Sequence, residues 1–262
     1  MADPKLQRPF GTIALFTGSL RLFPRRPSLF LVFVAAGLLP IGVMYATGLA
    51  DMAGVEITWP RRPGQPPPTG RQITAVLVNI VVDIVAYSIA YWFAVRTYVL
   101  VAVDHRADFG STASLVLRRF FPLAAASILT VLAVMAGLVL LIVPGVILML
   151  VLWLVTPCIL VEGVGPIAAF GRSTDLTRGH RVSIFLFLLL HLAVVLGAVV
   201  AFVVLSLPVL MRAMQHPMDP PTTYAVVLNL ASAAVQVVFS MWICAAVAYT
   251  YAHLRTLKEG PP

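Results

Sequence analysis

Asp83 is the only acid that falls well inside a long apolar run of this 262-residue sequence. Holding a carboxylate at the centre of a membrane helix costs about 2.5–3.5 kcal/mol on insertion scales, so such a residue is read first as functional. Asn79, Asp83, Tyr87 and Tyr91 recur at every fourth position. They form one polar stripe on a helix, expected to face other helices and not lipid. His191 is the only imidazole deep in a run, ten residues past Arg181, and Asp83 lies ten past Ile73. At about 1.5 Å per residue both sit about 15 Å in, from opposite sides. Two readings follow. Asp83 and His191 pair near the midplane as a proton-sensitive couple or part of a polar cavity. Otherwise Asp83 is protonated or satisfied by nearby Tyr and Asn groups, and serves as interhelical glue.

A second constellation lies near Glu162, which closes the fourth apolar run. Just beyond it a short segment carries Arg172, Ser173, Asp175 and Arg178 on its polar side, followed by Gly179-His180. Glu162 is placed to fix that segment by a salt bridge, or its arginines to bind a phosphate-bearing lipid headgroup, with Ser173 and His180 beside them. Metal and catalytic signals are missing. Asp104-His105 has no third ligand at metal spacing, and HExxH, Gly-rich phosphate loops and GxSxG are absent. Cys158 and Cys244 lie in apolar runs, where a thiol behaves as a small hydrophobe, so no disulfide framework is expected. The expectation is no enzyme, no cofactor and no metal.

The elements that must position these residues follow from composition. Sixty per cent of residues are hydrophobic, 11% are charged and the mean hydropathy is +0.98. A soluble domain carries about 25% charged residues, so this chain cannot build a water-facing surface. Phe120–Val161 is uncharged throughout, and as one helix it would be about 63 Å long. It must cross twice, and Pro144-Gly145 supplies a stop and a reversal. Counting runs of about 20 residues gives six transmembrane helices, near 28–47, 73–103, 121–142, 145–161, 182–210 and 224–251. The fold class is all-α, a polytopic helix bundle forming a single membrane domain over 1–262. Ala86, Ala90 and Ala94, and likewise Ala193, Gly197 and Ala201, form small-residue ladders that let helices approach closely. The Pro-rich stretch at 59–70 reads as an extended external linker.

The net charge is +8. The basic residues border apolar spans, so anionic lipid headgroups are the expected partner and nucleic acid is not. With odd spans starting in the cytoplasm, fourteen Lys and Arg fall inside and four outside (Arg61, Arg62, Arg71, Arg212). Both termini are then cytoplasmic. Arg25-Arg26 before Pro-Ser-Leu-Phe-Leu also resembles a twin-arginine export signal, but five further spans favour an anchor. Amphipathic segments at Phe10–Phe23, Ser111–Phe121 and Gly165–Arg178 precede the first, third and fifth spans. They are expected as three cytoplasmic-side interfacial helices in a weak threefold repeat.

The ordered set Pro144-Gly145, Trp153, Pro157, Glu162, Gly165-Pro166, Ala169, Arg172-Ser173, Leu176-Thr177 and Gly179-His180 resembles the membrane domain fused to some bacterial glycerophosphoryl diester phosphodiesterases, and related stand-alone six-span proteins. The match is strongest over about 140–182. The resemblance implies a six-helix protein of the bacterial inner membrane, without phosphodiesterase activity, since the hydrophilic segments are too short for a catalytic barrel. The resulting reading is a multi-pass inner-membrane protein without catalytic activity, in envelope or lipid homeostasis. The alternative is a transporter or channel for a small or lipid-like molecule, using a midplane polar site.

Overall fold

Apolar runs that cannot meet water, and whose backbone must hydrogen-bond internally in hydrocarbon, fold as helices. In the computed structural model every regular element is helical among the residues described, which are 10–48, 69–103, 105–215 and 223–260. Asp104, residues 59–68 of the Pro-rich linker at 59–70, and Lys5 and Arg8 lie outside them.

Helices long and apolar enough to span are α2 (Leu29–Ala46), α3 (Gly70–Ala102), α5 (Phe120–Leu140), the interrupted run Ile142–Glu162, and parts of α9 (Arg181–Gln215) and α10 (Thr223–Glu259). The protein is a six-span, all-α membrane protein. In the most apolar stretch of α9 no residue is buried within the protein, and Leu192, Val200 and Val203 are exposed. Such a surface is stable only in lipid.

Three short helices, α1 (Thr12–Leu22), α4 (Phe109–Arg118) and α8 (Pro166–Thr177), precede the first, third and fifth spans. Two of them have a local cause. Asp108 caps α4, its carboxylate accepting from the Ser111 N–H at 2.8 Å. Pro166 opens α8, and Gly179 follows its end at φ +89°, a conformation that favours glycine.

The structure shifts several boundaries. Helix α3 starts at Gly70, before the expected Ile73, because Thr69 and Gln72 form a reciprocal capping box. Helix α10 continues to Glu259, past the expected 251, since its last turns pack on α8 and pair Arg255 with Glu259. The reversal between the third and fourth spans lies at extended Leu141, not at Pro144-Gly145. Pro144 sits in the first turn of α6 (Ile142–Val151), where its missing N–H is harmless. Gly145 instead lets the hairpin close: a Cβ on Gly137 would stand 2.8 Å from the Gly145 Cα.

The small-residue ladders divide. Ala86, Ala90 and Ala94 are buried, whereas Ala193, Gly197 and Ala201 are exposed and a Cβ on Gly197 would meet nothing. The α9 ladder is therefore not a packed seam.

The chain forms two compact units. In the unit from Ser28 to Tyr91, α2 and the first part of α3 run antiparallel, with Met44 against Asn79 and Gly37 against Tyr87. The other unit holds α1 and everything from Trp92 on. Its core gathers Leu15, Phe187, Trp242 and Ala246, and the buried Ser19 hydroxyl accepts from Trp242 Nε1 at 3.0 Å. Helix α1 therefore buries Leu15, Ser19 and Leu22 against the bundle and leaves Ile13 exposed. Phe10 at its start touches the His180 and His253 rings, and the Phe23 carbonyl at its end accepts from the Tyr98 hydroxyl.

Candidate functional site

The fourth span is interrupted. Helix α6 ends at Val151, a turn covers 152–154, and the chain resumes as α7 (Val155–Pro157) and a π-helical turn, Cys158–Glu162. Pro157 explains the place of the gap, because it has no N–H for the carbonyl four residues back and its ring crowds that carbonyl. Ser173 of α8 fills the gap. Its hydroxyl donates to the Val151 carbonyl at 2.6 Å and accepts from the Leu154 N–H at 3.0 Å. Sequence reasoning set Ser173 on the polar face with Arg172, Asp175 and Arg178, but Ser173 is fully buried.

The π-helical turn is held by cations at its carbonyl end, where a helix dipole favours them. Arg96 donates to the Leu160 carbonyl at 2.7 Å and Arg119 to the Ile159 carbonyl at 3.2 Å. Gly163 follows at φ +74°, where a Cβ would stand 2.7 Å from Arg119 Nη2.

Glu162 and Arg172 meet directly. Arg172 Nε lies 2.8 Å from one Glu162 oxygen and 3.1 Å from the other, and the Tyr251 hydroxyl donates to Glu162 at 2.8 Å. The same guanidinium pairs with Glu259, which Arg255 also holds at 3.1 Å. Hydrogen bonding to Glu162 is the main cause that raises the Arg172 pKa, so its charge is permanent. Lys258 donates to the Asp175 and Arg178 carbonyls and closes the end of α8. Burial, and then the Lys258 charge, depress the His180 pKa. The network fastens α8 to the fourth span and α10. Arg178 stays exposed.

The intramembrane candidates fall in different units. Asn79, Asp83, Tyr87 and Tyr91 are all half-buried, with the Asn79 amide donating to Met44 Sδ at 3.2 Å. His191 is ringed by aromatics, its centroid 4.6 Å from that of Trp242, 5.9 Å from Phe239 and 6.0 Å from Phe187. It lines a cavity of about 780 Å³ between α9 and α10 that sequence reasoning did not foresee. Of the α9 ladder, Ala201 lines the cavity, while Ala193 and Gly197 do not. Among the described residues no three His, Cys, Asp or Glu side chains gather as a metal site.

Residues 70–254, well over half of the chain, match the family described as Domain of unknown function (DUF7847). The chain belongs to the DUF7847 family. No curated protein and no solved structure matches it. The DUF7847 region runs from the start of α3 into the last turns of α10, and so contains the interrupted span, α8 and the cavity. The match supports a six-span helical membrane protein.

Proposed function

We propose that this DUF7847 protein is a non-catalytic, multi-pass protein of the bacterial inner membrane, with both termini cytoplasmic, that works on the lipid phase in envelope or lipid homeostasis. One observation carries the reading. Where α3 and α10 end and α5 and α9 begin, Arg21, Arg25, Arg106, Arg118 and Arg178 are exposed, on or beside the short helices, while Glu162 and Glu259 are consumed by Arg172 and Arg255. Those two acids are neutralised internally, and the five exposed arginines stand against two exposed acids, Asp108 and Asp175, a net positive charge that suits anionic headgroups at about 1 kcal/mol per residue near the surface. The likeness of 140–182 to a membrane domain fused to some glycerophosphoryl diester phosphodiesterases supports the same reading.

The test is lipid analysis of protein extracted in nanodiscs directly from membranes. Arg21, Arg25, Arg118 and Arg178 are changed together to Gln, and the wild type is expected to carry at least twice the anionic lipid of the variant. Equal content would refute the headgroup role.

A second reading, passage of a small or lipid-like molecule by way of midplane polar groups, is favoured by the cavity between α9 and α10, which brings His191 to an apolar space between the two helices.

A further inference from the structure

The cavity between α9 and α10 is apolar along most of its length, from Val195 to Leu205 on α9. From His191 to Leu205 it runs about 21 Å at about 1.5 Å per residue. Its polar groups are few: His191 on α9, with Ser232, Gln236 and Ser240 at successive turns of α10, and Phe239 touching the His191 ring. An apolar pocket of this size with a small set of convergent polar groups is the usual form of a small-molecule site.

Two observations point to the occupant. His191 Nδ1 is sealed from solvent without a hydrogen-bond partner among the described residues. That leaves Nε2 as the nitrogen a guest can reach. A ring nitrogen open to an apolar space is left without a hydrogen-bond partner unless a guest supplies one. A charged head at this depth would be costly, and no cation stands among the lining residues to hold one.

We infer that the cavity binds a single-chain lipid whose head is an uncharged oxygen acceptor, with the head at His191 and Gln236 and the chain lying toward Leu205. This inference rests on the second reading above and names its ligand class. Protonated fatty acids and prenylated quinones or alcohols share that chemistry.

The test uses the full chain in nanodiscs, a diazirine-bearing palmitic acid as probe, and peptide mapping of the adducts. Labelling is expected within 188–243 and is displaced by unlabelled palmitic acid, by a prenylquinone, or by both. Displacement by one alone identifies the source. His191→Phe and Gln236→Leu each weaken binding about threefold to tenfold, the loss of one neutral hydrogen bond. Ala198→Phe, which fills the cavity, abolishes labelling there. Each variant is first shown to keep the wild-type melting midpoint to within a few degrees. Labelling spread over all lipid-facing helices, or unchanged by Ala198→Phe in folded protein, would overturn the proposal. The headgroup reading stands apart, because the arginine variant described above is expected to keep full labelling.

Discussion

Ser173 donates a 2.6 Å hydrogen bond to the carbonyl of Val151, so a side chain of α8 completes the backbone of an interrupted membrane span. The same hydroxyl accepts from Leu154, and two backbone groups that would lie unmet in a low-dielectric setting are satisfied by one residue. The short helix is therefore part of the bundle's construction.

Ser173→Ala leaves both groups unmet. A loss of about 1–3 kcal/mol is expected, seen as a lower melting midpoint in detergent. Thr174→Ala is the control, since Thr174 bonds only within its own helix, to the Phe170 carbonyl, and should change stability by less than about 0.5 kcal/mol. Equal effects of the two would mean that Ser173 does not close the gap.

Arg172 and Glu162 should be strongly coupled. Their side chains are 27% and 14% exposed, between a surface pair and a buried one. A double-mutant cycle with Arg172→Ala and Glu162→Gln is expected to give a coupling energy of about 1–2 kcal/mol. Additive effects would show that the two do not act as a pair.

Gly137 and Gly145 make the hairpin of the third and fourth spans. A Cβ at Gly137 would press on the Gly145 backbone, which cannot rotate away as a side chain can. Gly137→Ala is expected to cost about 1–3 kcal/mol, whereas Gly197→Ala, with open space around it, should be neutral or slightly stabilising. Chemical denaturation in detergent distinguishes them.

These cases show what the sequence could reveal. Span number and the three short helices follow from run length and charge placement, which are local. The interruption at 152–154 is half-legible, since Pro157 marks it, but its repair by Ser173 is a contact over 22 residues that no local pattern carries. The turn at Leu141 was hidden for a related reason. Pro and Gly signal a helix start as well as a stop, and only the close Gly137–Gly145 approach tells which. The Glu162–Arg172 pairing lay within reach of spacing and charge, whereas Glu259, the second acid on Arg172, comes from the far end of the chain. The cavity at His191 was the least legible, because an Ala ladder reads equally as close packing or as room.

His180 should give a pH dependence of known sign. Its folded pKa lies below the ordinary value of about 6.5, first through burial and then through Lys258. The unfolded chain then binds more protons in this range, so the stability from His180 is fully present above about pH 6.5 and is lost as pH falls through the lower folded value. Melting midpoints at pH 7.5 and 5.5 should fall more for wild type than for His180→Gln. An equal fall would assign the pH effect to other groups.

The headgroup role requires the arginine-rich end to lie on the cytoplasmic side, where it meets the anionic leaflet. Cys158 and Cys244 are both buried, so engineered thiols can be probed against a quiet background. Arg118→Cys and Arg178→Cys are expected to escape a membrane-impermeant maleimide in intact cells and to react after lysis. Leu141→Cys, at the exposed turn of the opposite end, should react in intact cells. Labelling of Arg178→Cys in intact cells, with Leu141→Cys protected, would contradict the account.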